Sequence, residues 1–326
     1  MTAQRPCTVA FIGTGIMGAP IAGHLLDAGY RLRVHNRTRE KADGLVARGA
    51  AWADSPAEAV RGADVVFTML GYPNDVEDVY LASDGILRAA KRGAWLIDLT
   101  TSSPQLARDI HDAAEIDDKH AFDCPVTGGD QGARSGTLTL IAGISEREAE
   151  PVIPLLQTFS SQIHWFDQPG AGQTAKLCNQ VALAGCLAGA AEAMALAEQA
   201  GLSVGNVTEM VGAGMGGSVQ LSRVAAKALD GDYAPGFLAE HLRKDLSLAL
   251  EAGEDLQLSM PETETALNLV DLLCQVGGAR LGTQALTLLY APEDECAAAG
   301  LDWSLVAPDP DEGPSPARQR YFINTH

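Results

Sequence analysis

The sequence predicts an α/β chain, with a doubly wound and largely parallel sheet followed by an all-helical domain. Two observations carry this. Short β-rich runs alternate with helical stretches up to about Asp167, the pattern of β-α-β units whose crossovers are right-handed. Beyond the breaker cluster Gln168-Pro-Gly-Ala-Gly172 the strand signals stop, and helical patterning continues to about Tyr290. The expected organisation is therefore residues 1–167 as a nucleotide-binding domain and 168–290 as a helical substrate and dimerisation domain. Residues 291–326 form an acidic tail with several prolines, in which a short helix and then an extended end are expected.

The first element is the strand Val9 to Ile12, which breaks into Gly13-Thr-Gly15-Ile-Met-Gly18 and resumes as a helix with Ile21, Leu25 and Leu26 on its apolar face. Glycines at the G-x-G-x-x-G spacing make a tight turn, admit backbone close to a pyrophosphate, and let helix pack on strand. The helix N-terminus then offers unpaired N–H groups to phosphate. This is the form of a dinucleotide-binding Rossmann domain, with Gly13, Gly15, Ile16, Met17 and Gly18 as candidate cofactor contacts. Further strands are expected at Arg31 to His35, Asp64 to Leu70, Ala94 to Asp98, His120 to Asp123, Leu138 to Ala142 and Gln162 to Trp165, with Thr38 to Arg48 helical. The segment from Gly172 to Ala200 is Ala- and Gly-rich and apolar nearly all round, which predicts a helix buried among others.

Bulk properties narrow the function. Forty-two acidic against twenty-three basic residues give a net charge of −19, which repels nucleic acid and anionic membrane surfaces. The six cysteines lack C-x-x-C pairs, and no histidine set reads as metal ligands, so no metal is expected and a reducing cytoplasm is the simplest setting. Met1 to Cys7 lacks the apolar core of a signal peptide. The apolar run Val181 to Ala191 is interrupted by Glu192 and Glu198 before it reaches the ~20 residues of a membrane span.

The end of the second strand selects the nucleotide. A carboxylate there would accept from ribose hydroxyls, whereas this chain has Asn36, Arg37 and Thr38. An amide, a guanidinium and a hydroxyl suit a 2′-phosphate, so NADP(H) is expected over NAD(H). The competing possibility is that Arg37 solvates a helix start which Thr38 caps.

Two stretches carry the chemistry. Asp123-Cys-Pro-Val-Thr127-Gly128-Gly129 continues through Gly132 and Gly136, a glycine-dense loop able to aim backbone N–H groups at a carboxylate. Lys176 and Asn179, three apart at the start of the long helix, share one face. A lysine there opposes the helix dipole and is poorly solvated, both of which lower its pKa toward general acid–base values.

With these motifs in order, the chain resembles the β-hydroxyacid dehydrogenases, which include 3-hydroxyisobutyrate dehydrogenase and tartronate semialdehyde reductase. The likeness covers roughly Val9 to Leu289 and also takes in Asp98 to Pro104, Phe237 and Lys244-Asp-Leu246. The resemblance implies that Lys176 is the general acid in reduction of a small semialdehyde or oxo acid, that Asn179 orients the substrate, and that Thr127, Gly128 and Gly129 grip its carboxylate. It also implies that Thr101 and Lys244 lie near the nicotinamide, bordered by Met17 and the turn containing Leu70 and Gly71, in a homodimer or homotetramer. For Lys244 the alternative is an exposed i, i+4 pair with Glu240. Thr127 stands where many members have Ser. Cys178 and Asn179 differ from the His-Asn pair of the phosphogluconate dehydrogenases, and imine reductases of the same architecture typically lack the lysine. An imine or other carbonyl reductase and a non-catalytic NADP-binding scaffold are the rival functions. A further expectation is that alkylation of Cys124 or Cys178 blocks activity, against the simpler role of small buried thiols.

Overall fold

The computed structural model describes residues 7–306, so the expectations for the N-terminal leader and for the end of the acidic tail lie outside the described residues. Residues up to Cys178 form one compact unit and those from Asn179 another, the division falling inside one long helix, Ala171–Gln199.

In the first unit six strands form a parallel sheet: β1 (Thr8–Ile12), β2 (Arg31–His35), β3 (Ala51–Trp52), β4 (Val65–Thr68), β5 (Trp95–Asp98) and β6 (His120–Asp123), in the order β3-β2-β1-β4-β5-β6. The sheet is covered on both faces because side chains alternate along each strand. Val9 and Phe11 of β1 join one core with Ile21, Leu25 and Leu138, while Ala10 and Ile12 join the opposite core with Val60, Tyr80 and Ile86. The strand order reverses between β1 and β4, and ligands in such sheets bind outside the carboxyl ends at that switch.

Three expectations need correction. β3 and β7 (Val126–Thr127), two residues each, carry too little pattern to be seen in sequence. β8 (Leu138–Ala142) and β9 (Ser160–Trp165) do not extend the main sheet; with β7 they form a second sheet, in which β7 and β8 are antiparallel. Pro125 and the glycine loop after β6 turn the chain out of the first sheet, and the short connection from β7 to β8 suits antiparallel pairing. Thr38 to Arg48 splits into a 3₁₀ turn, Arg39–Ala42, and a short helix, Asp43–Ala47.

The second unit is helical: Val204–Gly212, Val219–Leu229, Ala239–Asp255, Pro261–Gln275 and Glu293–Ala298, with a 3₁₀ stretch at Thr283–Leu289. Ser203 and Ser218 hydroxyls cap the first two of these. Within a single chain the long helix is covered on one side only. Ala184, Leu187, Ala191, Met194 and Ala197 make one buried stripe at helical spacing, while Leu196 is 73% exposed. The whole helix is long and apolar enough to cross a bilayer by length and composition, with 39% of its most apolar window buried. An Ala-rich sequence reads as apolar on every face whether or not each face is covered.

Candidate active site

The cofactor-binding candidates of the first unit follow the carboxyl ends of β1, β2, β4 and β5, whereas Lys244 lies in the second unit. Gly13 sits at φ +95°, and a Cβ there would run into the Met69 carbonyl where the β4 loop passes. A Cβ on Gly18 would meet the Gly13 carbonyl, so the helix Gly18–Asp27 packs tightly on its own loop. At Gly15 an added Cβ meets nothing within 4 Å, leaving that stretch of backbone open. Beside it Thr14 is buried, and its Oγ1 has no hydrogen-bond partner. A turn made of crowded glycines, one open glycine and an orphaned buried hydroxyl fits a dinucleotide pyrophosphate. Ile16 is exposed and Met17 precedes the first helical residue.

Asn36 is engaged within the loop itself. Its Oδ1 accepts from the Thr14 N–H at 2.9 Å and its Nδ2 donates to the Thr38 carbonyl at 2.7 Å, bracing the glycine turn against the end of β2. Thr38 precedes the 3₁₀ turn without a side-chain cap. Arg37 is 91% exposed, 3.7 Å from Asp75. Leu70 donates its N–H to Thr100 Oγ1 at 2.9 Å, and Gly71 lies just before the helix Pro73–Leu81.

Behind this edge lies a buried polar network. Asp98 Oδ1 accepts from Thr68 Oγ1 at 2.7 Å and from the Thr100 N–H at 3.1 Å, and Tyr80 Oη is 3.0 Å from Thr68 Oγ1. A cavity of about 10 Å³, bordered by Tyr80, Asp98, Ser102 and Asp123, has room for at most one water. Burial accordingly pushes the Asp98 carboxyl up to about 6, against the pull of its bonds to Thr100 and Thr68.

Asp123, at the end of β6, holds the start of the long helix. Its Oδ1 accepts from the Gly170 N–H at 2.8 Å and its Oδ2 from the Gln173 N–H at 2.7 Å. Burial raises its pKa, and these two N–H groups oppose the rise. Lys176, one turn on, is only 7% exposed. Thr127 ends β7; Gly128 (φ +126°) and Gly129 (φ +64°) lead into the helix Gly129–Ser135, whose first N–H groups have no intrahelical acceptor. His24 Nε2 lies 3.0 Å from the Ala133 carbonyl; a carbonyl only accepts, so that nitrogen carries the hydrogen and ties the two helices together.

The second unit contains a connected set of its own. Asn179 Nδ2 donates to Gln180 Oε1 at 2.9 Å, and Gln180 Nε2 donates to Asp245 Oδ2 at 2.6 Å. Lys244 Nζ is 3.0 Å from Asp245 Oδ1, close enough for charge attraction although outside hydrogen-bond geometry. Asn179 and Lys244 therefore join through one buried carboxylate. Lys244 is no exposed partner of Glu240, which pairs instead with Arg280 at 2.9 Å; the Lys244 side chain is 11% exposed. Burial, aided by the Lys244 ammonium, pulls the His241 imidazole below its usual pKa. Among the described residues no three His, Cys, Asp or Glu side chains cluster as metal ligands.

Residues 8–167 match the family model for the NAD binding domain of 6-phosphogluconate dehydrogenase, and residues 170–290 that for the NAD-binding domain of NADP-dependent 3-hydroxyisobutyrate dehydrogenase. The chain belongs to the β-hydroxyacid dehydrogenase family. An NAD-dependent L-serine dehydrogenase of Pseudomonas aeruginosa is 40% identical over 87% of this chain and 98% of its own length. The structure of Mycobacterium tuberculosis 3-hydroxyisobutyrate dehydrogenase with L-serine is 32% identical, with a TM-score of 0.81 over 88% of this chain and all of that one. Psf3 in complex with NADP+ and 2-OPP is 30% identical, with a TM-score of 0.80 over 87% of this chain and all of that one. An imine reductase from a Pseudomonas species, 18% identical with a TM-score of 0.56 over 86% of this chain and 98% of that one, shares the fold alone.

This β-hydroxyacid dehydrogenase is thus an NAD(P)-dependent enzyme acting on hydroxy acids. Sequence reasoning placed Asp98, Asp123 and Asp245 in motifs but missed what they hold, gave Gln173 no role, and missed Gln180 altogether. The available signal was a carboxylate closing each of two apolar strands, β5 and β6, where an unpartnered acid is costly.

The thiol expectation divides. Cys124 is buried and burial drives its pKa far above the usual thiol value, so the possibility that it is a reactive thiol is withdrawn; Cys178 is exposed.

Proposed function

We propose that the chain is an NADPH-linked reductase of a short oxo acid or semialdehyde, with Lys176 as its general acid, running in reverse as oxidation of the hydroxy acid. The observation that carries the reading is Lys176 itself: a lysine 7% exposed, on a helix whose first turn is pinned by Asp123 to the sheet edge bearing the glycine loop.

Gly13, Gly15, Ile16, Met17 and Gly18 would hold the pyrophosphate, with Leu70, Gly71, Thr101 and Lys244 toward the nicotinamide, which when bound supplies or accepts the hydride. The Lys176 ammonium donates a proton to the carbonyl oxygen as negative charge develops there, and the neutral amine takes it back in oxidation. Asn179 orients the same oxygen. Thr127, Gly128 and Gly129 hold the carboxylate through hydroxyl and backbone N–H groups, fixing the reacting carbon without a permanent positive charge. Lys244, held 3.0 Å from Asp245, has its charge largely compensated by that carboxylate, and would serve as an N–H donor rather than as a source of net positive charge.

Preference for NADPH is supported by exposed Arg37 next to Asn36, the position where a ribose-binding carboxylate would stand; Asp75, 3.7 Å from Arg37, is the acid with which a 2′-phosphate would compete. With Asn36 committed to the loop, Arg37 is the main discriminating side chain and Asn36 and Thr38 shape its position. The same reading puts the enzyme in a reducing cytoplasm as a homodimer or homotetramer, supported by six free cysteines and by the uncovered side of the long Ala-rich helix.

The test is a fluorescence titration with NADPH and NADH, followed by glyoxylate, succinic semialdehyde, tartronate semialdehyde and methylmalonate semialdehyde, and by L-serine with the oxidised nucleotides. Tighter NADPH binding and oxidation by one of the aldehydes is the expected result. Tight NADPH binding without turnover of any of these compounds would overturn the assignment in favour of an imine reductase or a scaffold.

A further inference from the structure

We propose that Gln173 is a positioning residue that sets Thr101 and Lys176 in register with each other, an inference that rests on the reading of Lys176 as the acid. Gln173 is fully buried, and its carboxamide takes hold of the backbone on both sides of one residue. Its Nε2 donates to the Thr100 carbonyl at 2.7 Å, and its Oε1 accepts from the Ser102 N–H at 2.9 Å. Thr101 lies between these two bonds, so a two-point clamp fixes the loop at a residue expected beside the nicotinamide. Ser102 cannot substitute through its own side chain, because its buried Oγ has no hydrogen-bond partner.

The other end of the clamp is equally fixed. The Gln173 N–H donates to Asp123 Oδ2, and Asp123 Oδ1 takes the Gly170 N–H, so the turn carrying Gln173 cannot slide along the helix axis. Lys176 follows at i+3 on the same face. The path from Thr101 to Lys176 therefore runs through one side chain and one helical turn. Asparagine is a methylene too short to make both bonds, methionine makes neither, and an ionised glutamate would set a second acceptor against the Thr100 carbonyl. Displacing a reacting group by about 1 Å can cost about a hundredfold in rate, so the clamp acts on turnover rather than on nucleotide affinity.

The experiment compares Gln173→Met, Gln173→Glu and Lys176→Met, using whichever of the four aldehydes the wild type reduces fastest. Gln173→Met is expected to lower kcat about 10- to 100-fold while the NADPH dissociation constant stays within about threefold, since the glycine loop is untouched. Gln173→Glu supplies the informative signature. Protonated, it has an O–H donor for the Thr100 carbonyl and an acceptor for the Ser102 N–H; ionised, it loses the donor.

The charged and titratable groups linked to the clamp are Asp123 on β6, which takes the Gln173 N–H and feels Arg108 of the helix Pro104–Ile116, Asp98 on β5, which takes the Thr100 N–H and acts on Tyr80 of the helix Pro73–Leu81, and Lys176 three residues on. The two carboxylates and burial favour the protonated acid, whereas Arg108 and Lys176 oppose it. The ratio of variant to wild-type kcat should therefore rise about tenfold or more from pH 8.5 to pH 5.5 for Gln173→Glu, and stay flat for Gln173→Met.

A kcat within threefold of wild type in Gln173→Met, a flat pH ratio in Gln173→Glu, or NADPH affinity falling in step with kcat each overturns the inference. Should Gln173→Met not fold, the pH ratio of Gln173→Glu decides alone. A fully active Lys176→Met overturns the general-acid reading instead, whereas an inactive Lys176→Met beside a fully active Gln173→Met overturns only the role of Gln173.

Discussion

Asp98→Asn gives a quantitative test of the buried network behind the cofactor edge. The carboxyl is raised from 3.8 to about 6, chiefly by burial, with a smaller contribution from the Asp123 charge. Because the folded-state pKa lies above the unfolded value, the folded protein binds the extra proton between those two pKa values. The resulting stability is fully present below 3.8 and is lost as pH rises through 6. At about 1.4 kcal/mol per unit the whole effect approaches 3 kcal/mol, of which about 2 kcal/mol falls between pH 4.5 and 7.5. Asparagine keeps the Oδ1 acceptor for Thr68 Oγ1 and the Thr100 N–H, and does not titrate. Subtracting the variant's stability from the wild type's cancels every other titrating group. Urea unfolding at pH 4.5, 5.5, 6.5 and 7.5 should show the variant gaining about 2 kcal/mol on the wild type across that range. A difference that does not change with pH would refute the argument, because it would mean Asp98 is ionised throughout.

Three other outcomes follow from the geometry. Gly13→Ala forces a side chain into a left-handed backbone against the Met69 carbonyl, and should cost 1 to 2 kcal/mol or more by strain alone, with NADPH affinity falling at least about tenfold in a fluorescence titration. Arg37→Ala should weaken NADPH about 10-fold or more while leaving NADH within about threefold, since a charge-assisted contact worth roughly 1.5 to 3 kcal/mol is lost only with the 2′-phosphate; equal losses for both nucleotides would overturn its assignment. A thiol-specific label should spare the buried Cys124 and Cys296 in the native protein and should reach Cys178 and Cys186 faster once the proposed oligomer is dissociated, which mass mapping of partially labelled protein checks.

What could be read from the sequence was what physics forces locally. Gly13 and Gly18 were legible because only glycine survives those positions; the burial of Lys176 was not, since a lone lysine at the start of a helix is more often a surface residue. The rest depended on partners far along the chain. Asp123 meets Gly170 and Gln173 some fifty residues later, and Gln173 meets Thr100 and Ser102 some seventy residues earlier, so no periodicity announces either. Asn36 was legible as the absence of a carboxylate, but its bracing of Thr14 was not. The second sheet escaped notice because β7 has two residues, and because a strand's pattern states which face is apolar and not which sheet it joins.

The concentration of buried polar groups at the ends of β4, β5 and β6 runs against stability taken alone. Burial raises both Asp98 and Asp123, and buried ionisable groups are often replaceable by apolar side chains at no net loss. An apolar residue, however, fills space without specifying register. Asp98 accepts from a side chain on β4 and from the loop after β5, and Asp123 accepts from two N–H groups of one helix start. Thr100 and Gln173 carry the same pattern onward to Leu70 and Ser102. Each of these bonds joins segments that would otherwise meet only through methyl groups, which tolerate sliding by fractions of an ångström. Transfer of hydride and proton to one carbonyl tolerates no such sliding. On that ground the carboxylates are retained for the position of the backbone they hold, and their stability cost is set by how tightly that backbone must be held.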